Sequence, residues 1–157
     1  MAKQFSQERL RVRPSSREEA VVAAAEEQFE RTLIRVRGEL VGSVAALSHP
    51  GGRSDAANYG EVFLRDNVPV MFYLLLKGRY AIVRNFLEVC LDLQSSAYQT
   101  RGVFPTSFVE EEGELLADYG QRSIGSITSV DASLWWPVLC WLYVRRSQDW
   151  EFGASQR

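Results

Sequence analysis

"SSREEAVVAAAEEQFERTLIRVRGELVGSVAAL", residues 15–47, carries the first strong periodic signal of the chain, and its period decides the fold class. Apolar side chains return at Val22, Ala25, Phe29, Leu33, Val36, Leu40, Val44 and Leu47. Steps of three and four place them on one face of a helix with 3.6 residues per turn. Ser16 followed by Glu19 has the capping-box pattern, in which each side chain satisfies one orphan amide of the first turn. The spacing predicts one amphipathic helix over about 17–47. Gly38 and Gly42 weaken it slightly and let a neighbouring backbone approach.

The rest of the chain reads in the same class. Residues 48–63, "SHPGGRSDAANYGEVF", are rich in Gly, Ser, Asp and Asn and form a loop. A second helix starts near Asn67, with Asp66 or Asn67 as cap and Pro69 in the first turn, and stops at Gly78. It is apolar on nearly every side and is expected to be buried all round. A third, about 80–94, carries Ile82, Val83, Phe86, Leu87, Cys90 and Leu91 on one face. The long connection 95–130 has a compact aromatic part, "GVFPTSF" (102–108), and an acidic part, "VEEEGELLADYGQRS" (109–123), that reads as a short ribbon or excursion. The fourth helix opens at Asp131, runs to about Arg146 and contains Pro137, which is expected to kink it or strip out one backbone bond. Four helices and almost no strand make the expected class all-α, in one domain over 1–157 with 1–15 as a flexible arm. Helices two and four are apolar nearly all round and want further helices over them, through self-association or within a larger protein.

Composition narrows the function classes. The chain has 157 residues and a formal net charge of −2, enough for a real core and too little positive charge for nucleic acid. Its one basic cluster, "RLRVR" (9–13), reads as a solvated arm. No apolar run spans a bilayer, since "VPVMFYLLL" (68–76) stops at Lys77, and residues 1–15 lack a signal-peptide pattern. These features lead to the expectation of a soluble, cytoplasmic protein with no membrane partner. Cys90 and Cys140 fall on apolar helix faces and read as reduced core thiols, not metal ligands or nucleophiles. His49, the single histidine, sits in a turn cluster with no ligating neighbour and reads as a surface loop position.

Chemistry-bearing residues gather at helix–loop junctions. "NYGEVFLRDN" (58–67) holds Tyr59, Glu61, Arg65 and Asp66; "GVFPTSF" holds Phe104, Thr106 and Phe108; "VDASLWW" (130–136) holds Asp131, Trp135 and Trp136. Carbohydrate sites need this mixture, with aromatic rings for the C–H faces of a sugar and carboxylates and Arg for its hydroxyls. On local sequence each residue keeps a plainer alternative. Asp131 serves as an N-cap to Ser133 or Leu134, Trp135 and Trp136 as core aromatics, and Arg65–Asp66 as an ion pair or cap.

Taken together and in order, "NYGEVFLRDNVPVMFYLLLKGRYAIVRNFLEVCLDLQS", "GVFPTSF", "YGQRSIGSITSVDASLWW" and "SQDWEFGAS" resemble the alkaline/neutral invertases, a family of sucrose-hydrolysing glycosidases. The likeness covers residues 55–157, and "DAS" at 131–133 is similar to the cyanobacterial branch. The resemblance implies a β-fructofuranosidase on an (α/α)6 barrel, this chain supplying about the first four helices of a twelve-helix toroid. It implies a cytosolic enzyme acting on sucrose without a cofactor. It assigns the general acid to Asp131, while the partner Glu corresponds to no position here, as in an N-terminal portion of a longer enzyme. Arg65, Asp66, Phe104, Trp135 and Tyr59 become substrate-binding candidates. Two alternatives stand beside this: a catalytically inactive remnant or interaction module, and an (α/α)6 glycosidase for another small glucoside.

Overall fold

The computed structural model of the chain describes residues 15–44, 60–121 and 131–155. The described residues divide into two compact units, one ending at Glu30 and one beginning at Arg31. Most of helix α1 (Ser16–Thr32) falls in the first. Its capping box is present one residue earlier than the spacing predicts. The Glu18 amide donates to Ser15 Oγ at 3.3 Å, and the Ser15 amide donates back to the Glu18 carboxylate at 2.6 Å. That returned bond holds the Glu18 carboxyl below the usual range.

The helix stops at Thr32, and the expected continuation to about residue 47 is replaced by a hairpin. Strands β1 (Leu33–Val36) and β2 (Glu39–Ser43) pair antiparallel around Arg37 and Gly38, whose φ values of 51° and 85° are those of a type I′ turn. Thr32, Ile34, Val36, Val41 and Val44 are β-branched, which favours an extended backbone. A bulge leaves Val41 without a cross-strand partner and turns it into the core. Gly42 is required by close approach, because a Cβ there would lie 2.9 Å from Asn67 Oδ1 and 3.0 Å from Val62 Cγ1.

A second sheet has the order β3–β4–β5, all antiparallel: β3 is Val62–Phe63, β4 is Ser107–Glu111 and β5 is Glu114–Asp118. The acidic segment is therefore a ribbon, turned at Glu112 and Gly113 with φ of 53° and 84°. The two sheets overturn the all-α class. The fold is mixed, helices packed with two small antiparallel sheets.

Strand β3 runs straight into α2 (Leu64–Leu76), which thus begins before Asn67 and places Pro69 beyond its first turn. Neither Asp66 nor Asn67 caps it, because the neighbouring strand segment does so instead: the Leu64 amide donates to the Thr106 carbonyl at 3.0 Å. Asn67 turns inward and bonds β2, accepting from the Ser43 amide at 2.8 Å and donating to the Ser43 and Phe63 carbonyls at 2.9 Å each. Gly78, with φ of 73°, ends α2 as expected, in a Schellman motif closed by Arg79 N–H to Leu74 O and Gly78 N–H to Leu75 O. Only one face of α2 is buried, and Leu76 stands 74% exposed.

Helix α3 (Tyr80–Asp92) buries Ile82, Val83, Phe86, Leu87, Val89 and Cys90 on the face the sequence pattern marks, and packs against β2, α2 and α4. Helix α4 (Ala132–Ser147) follows and packs on α2, and the short α5 (Trp150–Ser155) folds back on it. Among the described residues no helix is long and apolar enough to cross a membrane.

Candidate active site

The three chemistry-bearing segments meet through hydrogen bonds, two of them joined backbone to backbone and the third through a serine side chain. Val62 and Phe63 pair with Phe108 and Ser107, so "EVF" and "TSF" lie side by side. Thr106 donates its amide to the Asp118 carbonyl at 2.7 Å, adding β5 to the same cluster. Two residues earlier in the connection, the Phe104 amide donates to Ser133 Oγ at 3.4 Å, which brings in the first turn of α4.

Asp131 stands at the N-cap position of α4 and does not cap it. Its backbone is already helical, with φ −69° and ψ −20°, and its side chain makes no capping bond. A capping side chain swings over the amides two and three residues on only from an extended backbone. Leu134 and Trp135 instead donate their amides to the Asp131 carbonyl, both at 3.0 Å. Asp131 is half-buried.

The other sequence candidates divide between surface and interior. Arg65 Nε lies 3.8 Å from Asp66 Oδ1 with both side chains more than half exposed, the geometry of a weak surface pair. Trp135 is 38% exposed and meets Phe72 of α2 edge to face, ring centroids 6.2 Å apart. Phe104 is buried to 4% exposure, its ring stacked on Trp136 at 5.6 Å and 17°. Trp136 in turn donates Nε1–H to the Leu87 carbonyl of α3 at 3.1 Å. Tyr59, His49 and the "RLRVR" arm lie outside the described residues.

Two buried acids join the cluster. Ser107 Oγ donates to Glu61 at 2.5 Å, with both residues buried. Asp118 sits opposite Ser107 on β5, wholly buried, and its Oδ1 accepts the amides of Gly120 and Gln121 at 3.1 and 2.9 Å. Asp118 went unmarked in the sequence, although an Asp closing a strand before "YG" is the local pattern of an Asx turn. Glu61 was visible only as one polar residue among several, because its partner comes from a segment distant in the chain.

Cys90 and Cys140 are free and buried, and burial pushes both thiols up, far up for Cys90. Neither is poised as a nucleophile. Among the described residues no three His, Cys, Asp or Glu gather as a metal site.

The sequence pattern of a family described as alkaline and neutral invertase matches residues 25–157. Alkaline/neutral invertase CINV2 of Arabidopsis thaliana is 34% identical over 152 residues, which take in 89% of this chain and 27% of that protein. Cytosolic invertase 1 of Oryza sativa subsp. japonica is 33% identical over 141 residues, 82% of this chain and 25% of that protein. Neutral/alkaline invertase 1, mitochondrial, from the same plant is 35% identical over 137 residues, 76% of this chain and 22% of that protein. The chain thus spans about a quarter of the length of these curated relatives.

Proposed function

This chain belongs to the alkaline and neutral invertase family, and on that premise we propose that its protein is a β-fructofuranosidase that hydrolyses sucrose, with Asp131 as general acid. Hydrolysis needs a proton for the bridging oxygen as the bond breaks through an oxocarbenium-like state. It also needs a water activated from the other side, and an inverting pair of carboxyls stands about 6.5–9.5 Å apart to hold that water. Asp131 gives the proton from the start of α4. Arg65, Asp66 and Tyr59 take sugar hydroxyls. Trp135 offers its exposed ring to a C–H face, while Phe104 is buried against Trp136 and backs the start of α4 rather than the sugar. The base is a Glu that no motif in residues 1–157 matches. The chemistry is proton transfer and calls for no cofactor, and we assign it to the cytoplasm, where one of the relatives is named as cytosolic.

What supports this proposal is the hydrogen-bonded linkage of "EVF", "TSF" and, through Phe104 and Ser133, the first turn of α4, a helix that an aspartate opens without capping it. The test is Asp131→Asn in the protein expressed from its whole gene. Sucrose turnover is expected to fall by about 10²–10⁴-fold, the usual weight of a general acid. Turnover near wild type removes Asp131 from that role. Faster hydrolysis of trehalose or maltose than of sucrose by the unaltered protein would reassign the substrate.

A further inference from the structure

We propose that Trp136 is the positioning residue that holds the first turn of α4, and with it Asp131, in register for proton delivery; the inference rests on the invertase function proposed above. Helix geometry alone holds that turn poorly. Pro137 has no N–H, so the bond that residue 137 would donate to the Ser133 carbonyl is missing from α4. The turn is fastened to the next one by fewer bonds than an ordinary helix supplies, and side chains reaching other elements set its direction.

Ser133, Trp135 and Trp136 are such side chains. Ser133 Oγ accepts from the Phe104 amide at 3.4 Å, a long bond. Trp135 meets Phe72 only edge to face, and much of its ring is exposed. Trp136 makes two ties at once. Its ring lies flat on Phe104 while its Nε1–H reaches the Leu87 carbonyl. Both partners are fixed: Leu87 is fully buried in α3, and Phe104 precedes the segment that bonds β3 and β5. A buried indole N–H takes an acceptor, and here that acceptor lies on another helix, so the bond ties α4 to α3. Stack and hydrogen bond together leave the indole one orientation, and so fix the rotation of the turn about the axis of α4.

Trp136→Phe keeps a ring against Phe104 and deletes the donor to Leu87. In the protein expressed from its whole gene, kcat on sucrose is expected to fall about tenfold or more while KM stays within about twofold, because a displacement near 1 Å costs up to about 10²-fold. A β-fructosyl fluoride, whose leaving group needs no proton, separates positioning of the acid from general damage. Its hydrolysis is expected to stay near wild type in Trp136→Phe and in Asp131→Asn. Unchanged kcat on sucrose, or equal losses on both substrates, overturns the proposal. If Trp136→Phe lacks a cooperative melt, Phe104→Leu, which removes the stacking surface and keeps the donor, is read by the same split. Asp131→Asn turning over sucrose normally defeats the proposed function and this inference together. An inactive Asp131→Asn beside a normal Trp136→Phe defeats the inference alone.

Discussion

Asp131 and Cys90 illustrate what single residues do here when local sequence offers two roles. Asp131 stands where a cap belongs, yet its helical backbone keeps the carboxylate off the amides that a cap would bond. The motif around it, and not its helix position, is what singles it out. Cys90 has the opposite history, since apolar spacing on α3 marks it as packing and the structure buries it completely. Burial raises its thiol, so little thiolate forms at neutral pH. Titration of the native protein with an aromatic disulfide reagent is expected to leave Cys90 unmodified until denaturant is added. Rapid native labelling of Cys90, located by peptide mapping, contradicts this packing.

At the scale of elements, "RGEL" (37–40) and "EGEL" (112–115) carry one pattern, and both form two-residue hairpin turns. The second is legible because acidic residues around it break any helical stripe. The first is hidden, because Leu33, Val36, Leu40 and Val44 fit a helical period as well as a strand. Its glycines are held by different physics. Gly38 has open space around it and a φ of 85°, so Gly38→Ala is expected to cost about 1–2 kcal/mol through backbone strain alone. Gly42 has an ordinary φ and no room, and Asn67 cannot yield without losing its bonds to Ser43. Gly42→Ala is expected to cost about 1–3 kcal/mol by overpacking. Asn67→Ala in the same chain should relieve part of the Gly42→Ala penalty, the contact with Val62 remaining, and none of the Gly38→Ala penalty. Melting temperatures of the three single and two double variants, arranged as double-mutant cycles, measure both couplings.

Across the unit formed by residues 31–157, one carboxylate links three helices. Asp149 Oδ1 accepts the Phe152 amide at 3.1 Å, capping α5. Its Oδ2 accepts the Tyr143 hydroxyl of α4 at 2.7 Å and the Arg84 guanidinium of α3 at 3.1 Å. Arg84 also lies over the Phe152 ring at 5.3 Å. The Tyr143 bond, then the Phe152 amide, then the Arg84 charge hold the Asp149 carboxyl below the usual range. A carboxyl lowered in the fold stabilises above its unfolded pKa and loses that contribution as pH falls through the folded value. The unit is expected to lose stability from this site as pH drops below about 4, the ordinary value of an unfolded Asp carboxyl. Asp149→Asn, which cannot carry the charge, should lie below wild type at pH 7 and approach it in acid. A gap between their melting temperatures that stays constant from pH 7 to 3 rules the linkage out.

Features that depend on near neighbours and on residue type can be read directly along the chain. The buried face of α3, the glycine stop of α2, the acidic ribbon and the thiols as packing groups all follow from spacing and residue type within a few positions. Tertiary structure decided what depends on partners far along the chain. Residues 33–44 form a hairpin because Asn67, Val62 and α3 receive it. Helix α2 starts at Leu64 because Thr106 supplies the acceptor that a local cap would have given. Glu61 acquires its buried bond only when β4 brings Ser107 beside it. The physical reason is shared by all three. A periodic pattern fixes which side chains must be buried, while a backbone amide or buried carboxylate accepts whichever partner the packed chain brings within bonding distance.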